Sequence, residues 1–110
     1  MGASERRKGA VAEREAYAWW CDRVGADMVV RRRASDQSAD GGWDLMVRGH
    51  PALYVEVKRT EKATPMRWLD QAQAATPEGG IAVVMWRPSR RDWCFVVEGD
   101  GMATLVREAM

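Results

Sequence analysis

The stretch from Gly41 to Lys58 constrains this chain more than any other. It holds two strand-like runs, Trp43-Asp44-Leu45-Met46-Val47 and Leu53-Tyr54-Val55-Glu56-Val57-Lys58, with Gly49-His50-Pro51 between them. Turn residues between two β-branched and aromatic runs predict a hairpin. Side chains along a strand alternate between faces. Leu53, Val55 and Val57 therefore share one face, and Tyr54, Glu56 and Lys58 share the other. With the runs paired antiparallel, Asp44 reaches the face of Glu56. Two carboxylates and an ammonium then converge at one end of a two-stranded ribbon. His50, the one histidine, falls in the turn away from that end and reads as a turn residue.

Such a cluster is unfavourable without compensation. Two carboxylates about 4 Å apart repel by roughly 4 kcal/mol at an effective dielectric of about 20. A cation, a shared proton or a salt bridge must offset this. Lys58 is one candidate and Mg2+ another, because Mg2+ takes oxygen ligands and usually binds one or two carboxylates with waters and substrate phosphate. The Val57 carbonyl, between Glu56 and Lys58, supplies a further oxygen. A metal there would polarise a phosphodiester, and Lys58 would orient water or stabilise developing charge. Among the 17 Lys and Arg residues only Lys8, Lys58 and Lys62 are Lys, so a Lys on this face is not the chain's default cation. An ammonium does proton and point-charge work that a guanidinium does not. The same spacing also fits an exposed strand with a cross-strand ion pair.

At 110 residues the chain reads as a single domain over 1–110, with residues 1–8 as a loose basic arm. No apolar run approaches the roughly 18 residues of a membrane span. Met1 to Gly9 is charged with no apolar stretch behind it, which does not fit a signal peptide and points to a soluble intracellular protein. Cys21 and Cys94 are too few and too far apart for a disulfide framework or a zinc site, and read as buried free thiols. The formal net charge of +1 argues against a uniformly basic nucleic-acid binder. Four basic groups nevertheless stand out: Arg6-Arg7-Lys8, Arg31-Arg32-Arg33, then Lys58 with Arg59, Lys62 and Arg67, and Arg87 with Arg90 and Arg91. Gathered on one face they form a phosphate-binding surface; scattered, they are ordinary solvated charge.

Along the chain, good helix formers predict a helix from Gly9 or Ala10 to about Arg23, stopped at Gly25. Glu13, Tyr17, Trp20, Cys21 and Val24 fall on one face and read as its inward stripe. A carboxylate at the edge of that stripe requires a partner. Met28 to Arg33 reads as a strand and Ala34 to Gly42 as a polar loop. After the hairpin, Thr64-Pro65 opens a helix that runs to about Thr76, with Trp68, Leu69, Ala72, Ala75 and Thr76 inward. Ile81 to Trp86 is a buried strand, Arg87 to Asp92 a basic turn, Trp93 to Val97 a strand, and Met102 to Glu108 a short helix capped by Asp100. The result is an α/β fold, a mixed central sheet flanked by helices.

Taken together, these residues resemble the PD-(D/E)XK nuclease superfamily, and within it the small Holliday-junction resolvases of archaea and bacteriophages. Asp44 with Glu56-Val57-Lys58 matches the superfamily's core motif. Lys8-Gly9-Ala10-Val11-Ala12-Glu13-Arg14 is similar to the Lys-Gly-X-X-X-Glu-Arg opening of the resolvases. Arg31 to Ser35 resembles their Arg-rich strand end and serine-bearing loop, and Gln71 is similar to the helix glutamine of related nucleases. The resemblance spans about Arg7 to Trp86. Trp43 stands where a Pro often precedes the Asp, Ser38 competes with Ser35, and Gln73 competes with Gln71.

The resemblance implies a restriction-endonuclease-like αβββαβ core with an added strand and C-terminal helix. It implies a Mg2+ site, open to Mn2+, built from Glu13, Asp44, Glu56 and the Val57 carbonyl, with Lys58 catalytic and Gln71 orienting Lys58 or a phosphate. DNA contacts would come from Arg6, Arg7, Lys8, Arg31, Arg32, Arg33, Ser35, Arg59 and Lys62. The active form would be a homodimer that nicks a four-way DNA junction symmetrically, in the cytoplasm of a prokaryote or a phage-infected host. Trp19, Trp86 and Trp93 are candidates for the two-fold surface. Two other readings fit the same residues: a related nuclease acting on flap, mismatch or restriction-type substrates, and a non-catalytic DNA-binding dimer.

Overall fold

The computed structural model describes residues 3–32, 43–60, 62–88 and 90–110, with side chains from Gly9 onward. In chain order it forms α1 (Ala3–Val24), a 3-10 turn (Ala26–Met28), β1 (Val29–Arg31), β2 (Leu45–Val47), β3 (Leu53–Lys58), α2 (Pro65–Ala75), β4 (Ile81–Trp86), β5 (Cys94–Val96) and α3 (Gly99–Ala109). The strands form one sheet in the order β1-β2-β3-β4-β5. The expected hairpin is present, with Leu45 opposite Val55, Met46 opposite Tyr54 and Val47 opposite Leu53. β1 adds antiparallel to β2 and β5 antiparallel to β4. β3 and β4 are parallel, Lys58 beside Trp86, because the α2 crossover returns the chain to its starting end.

The strand alternation sorts the core into two layers. Leu45, Val47, Val55 and Met85 pack with Ala16 of α1 on one face. Ala82 and Val84 pack with Trp68, Leu69 and Ala72 of α2 on the other. β4 is buried along Ile81 to Met85 because helices cover both its faces. Met85 is fully buried. Its replacement by Ala is expected to cost about 2–5 kcal/mol, since the surrounding strands and α1 fill the vacated volume only in part. Urea unfolding measures this, and a shift under about 1 kcal/mol would contradict the packing described.

Several expectations need correction. α1 begins at Ala3, so residues 3–8 belong to the helix and are not a loose arm. Its deepest residues are Ala12 and Ala16, at 1% and 0% exposure, and Val24 is exposed. Small side chains let the helix axis approach the sheet closely, so the contact line falls on the alanines, with Tyr17, Trp19 and Trp20 splayed about it. α1 does stop at Gly25, whose φ of 97° is readily adopted only without a Cβ. α3 starts at Gly99, earlier than Asp100 capping would place it, with Glu98 at the N-cap position. Cys21 and Cys94 are free but only half-buried. Among the described residues no helix is long and apolar enough to cross a membrane.

Candidate active site

The strand directions decide what meets at each end of the sheet. β1 ends at Arg31, β2 begins just after Asp44, β3 ends at Lys58, β4 ends at Trp86 and β5 begins at Cys94, all at the same end. Arg32, Arg59 and Arg87 each follow directly on a strand that ends there. Parts of three of the four basic groups therefore gather around the acidic cluster. The fourth, Arg6 to Lys8, has its side chains outside the described residues, as do Arg33, Ser35 and Ser38 entirely.

Asp44 is locked to the hairpin through both backbone and side chain. Its N–H donates to the Val55 carbonyl at 2.9 Å, and its Oδ2 accepts the Val57 N–H at 2.8 Å. The Asp44 carbonyl accepts the Arg32 N–H at 3.2 Å, which fixes the end of β1 beside it. Glu56 Oε1 lies 3.4 Å from Lys58 Nζ, both side chains partly buried. Burial, followed by the Glu56 charge, pushes the Asp44 carboxyl up to about 8 against the pull of the Val57 N–H; Glu13 adds to the rise through charge and a hydrogen bond. Burial also raises Glu56, opposed by the charge and hydrogen bond of Lys58 and reinforced by Glu13. Asp44 and Glu56 therefore each lie within electrostatic reach of Glu13, and Glu56 also pairs with Lys58.

These groups suit a small divalent cation. Asp44 and Glu56 share a partly buried site with Lys58, and burial first, then the Glu56 charge and the smaller effect of Glu13, holds Asp44 up. Every protein donor there is oxygen, the ligand type of Mg2+ and Mn2+. Among the described residues, however, no three His, Cys, Asp or Glu side chains stand together as a preformed metal group. Asp44, Glu56 and the Val57 carbonyl are the oxygens that could hold such an ion; Glu13 acts on both carboxylates through its charge and on Asp44 also through a hydrogen bond.

Gln71 is exposed on α2, and among the described residues it makes no hydrogen bond to Lys58, Glu56 or Asp44. Gln73 turns away and donates to Glu98 Oε2 at 2.9 Å. Lys62 is exposed just beyond β3. Arg32 lies over the Trp43 ring, 5.4 Å from its centre, and that ring meets Tyr54 edge-on at 5.6 Å.

No protein-family model and no curated protein matches the sequence. Among solved structures, the chain is similar to Hjc, a Holliday junction resolvase from the archaeal hyperthermophile Archaeoglobus fulgidus. The two superpose with a TM-score of 0.59 at 22% identity, over 81% of this chain and 76% of that one. The chain has the fold of Hjc. The fold in question is a mixed five-stranded sheet with three helices among the described residues.

One residue of that end has no signal in the helix pattern, Glu15, and Arg87, read only as one of a basic group, turns out to be its partner. Glu15 in fact accepts from both Arg59 and Arg87. A usable signal existed: two strands joined by a crossover helix are parallel and end together, so the residue after Trp86 must neighbour the residue after Lys58.

Proposed function

We propose that this chain is a divalent-metal-dependent endonuclease, with branched DNA, a four-way junction, as substrate and a homodimer as the active form. The observation that carries the reading is Asp44, Glu56, Lys58 and Glu13 at one sheet end, ringed by Arg31, Arg32, Arg59 and Arg87. Asp44, Glu56 and the Val57 carbonyl would hold the ion, which when bound supplies Lewis-acid polarisation of the scissile phosphodiester. Lys58, kept in place by Glu56 at 3.4 Å, donates to the phosphate oxygen on which negative charge grows. The surrounding arginines bind backbone phosphates without reading sequence, which suits a substrate recognised by shape. Gln71, exposed on α2, is a candidate phosphate contact.

The dimer reading has support in exposed apolar side chains. Phe95 on the edge strand β5, and Met102 and Val106 on α3, are 38%, 51% and 50% exposed. Trp19, Trp86 and Trp93 are instead half-buried against the chain's own core clusters, which favours β5 and α3 over them as the apolar surface for a partner.

The test is a panel of four-way, flap, nicked and linear duplex DNAs incubated with Mg2+, Mn2+ or chelator. Paired symmetric nicks in the junction, dependent on the metal, are expected. Metal-independent binding without cleavage of any substrate would overturn the endonuclease reading, and preferential cutting of linear duplex would overturn the junction as substrate.

A further inference from the structure

We infer that Arg59 and Arg87, set in place by Glu15, form a separate phosphate-binding site beside the acidic cluster, for a DNA backbone phosphate other than the one cut. This rests on the endonuclease reading above. Glu15 projects from α1 between the ends of β3 and β4. Its Oε1 lies 3.4 Å from Arg59 Nη1 and its Oε2 2.9 Å from Arg87 Nη1. Arg87 is held a second time, its Nε donating to the Arg91 carbonyl at 3.0 Å, and its guanidinium sits 5.9 Å from the centre of the Trp93 ring. The Arg87 N–H donates to the Lys58 carbonyl at 3.0 Å, so this group is anchored to the strand that carries the catalytic lysine.

Alternation along the chain places Arg59 on the side opposite Lys58. The arginines therefore meet a phosphate displaced from the one Lys58 meets. Two guanidinium groups against one carboxylate leave a net positive charge. Each guanidinium carries five N–H donors, and among the described residues no protein acceptor takes Nη2 of either arginine. All three side chains are about one-third exposed, so the site is open to DNA. Ion pairs this exposed add little to stability. What Glu15 does is orient two planar forks before DNA arrives, which reduces the side-chain ordering that binding requires. Glu15 is a positioning residue and touches no substrate.

A plain surface ion pair predicts the opposite sign for one variant, and this makes the inference testable. Junction affinity is measured by fluorescence anisotropy in chelator across a salt series, for wild type, Arg87→Gln, Arg87→Lys and Glu15→Gln, each checked by thermal melting. Arg87→Gln should weaken binding about tenfold and flatten the slope of log affinity against log salt by about one unit. Arg87→Lys should keep the wild-type slope yet bind several-fold more weakly, because an ammonium lacks the held fork. Glu15→Gln should weaken binding about threefold although it removes a negative charge beside DNA. Unchanged or tighter binding by Glu15→Gln, or an unchanged salt slope in Arg87→Gln, overturns the inference. A wild-type protein that neither binds nor nicks the junction overturns the endonuclease reading instead.

Discussion

Asp44→Asn is expected to reduce junction nicking by on the order of 10^3-fold or more, while binding of the junction stays within about twofold. The substitution keeps the size of the side chain and leaves an amide oxygen able to accept the Val57 N–H, now 2.8 Å from Asp44 Oδ2. It removes the charge that a divalent ion requires. The same change should stabilise the metal-free protein at neutral pH. In the folded chain Asp44 is pushed up to about 8 by burial and by Glu56, so at pH 7 folding must protonate a carboxylate that is ionised when unfolded. An amide carries no such penalty, and a gain of about 1–4 kcal/mol in chelator is expected. Single-turnover nicking, anisotropy and urea unfolding measure the three effects. Retained nicking, or a variant less stable than wild type in chelator, would count against the roles given to Asp44.

The stability of the metal-free protein should fall as pH rises from about 4 to about 8. The sign follows from the direction of the shifts. Asp44 is raised from 3.8 to about 8 on folding, and Glu56 is raised as well, so between those values the folded state binds more protons than the unfolded one. Stability is then greatest below the unfolded values and is lost as pH climbs through the folded ones. At about 1.4 kcal/mol per unit, Asp44 sets a ceiling of roughly 5 kcal/mol on the loss. The charged neighbours pull in both directions: Glu13 reinforces the rise at both carboxylates, and Lys58 opposes it at Glu56. Urea midpoints at pH 5, 6, 7 and 8 in chelator give the profile, which Asp44→Asn should largely flatten. Mg2+ should restore most stability at the alkaline end, where carboxylates need not shed a proton to bind it. A wild-type profile flat between pH 5 and 8 would show that Asp44 is not destabilised in the folded chain.

Both predictions depend on a cluster whose outline was readable in advance. The alternation in Leu53 to Lys58, the turn at Gly49 to Pro51, and the position of Asp44 before its strand were enough to place two carboxylates and a lysine on one ribbon end. Glu13 was also recoverable, from an inward helix position and the motif around it, although the stripe it was assigned to is rotated from the one that packs. Gln71 shows where motif reasoning stopped, since a motif supplies the residue type but not the hydrogen-bond partner, and among the described residues Gln71 has none in the cluster.

What the sequence determined by itself is the set of elements and their order: a helix, a strand and a hairpin, a helix begun at Thr64-Pro65, two strands and a last helix. It also determined which hairpin side chains share a face. These are local properties, set by backbone preference and by a hydrophobic period of two or 3.6 residues. Only the tertiary structure decided that α1 lies down on Ala12 and Ala16, because small residues become a contact line only when a sheet comes close. It alone placed Glu15 between Arg59 and Arg87, partners 44 and 72 residues away. An ion pair across such separations leaves no period in the chain, and it forms only because parallel strands end at the same edge.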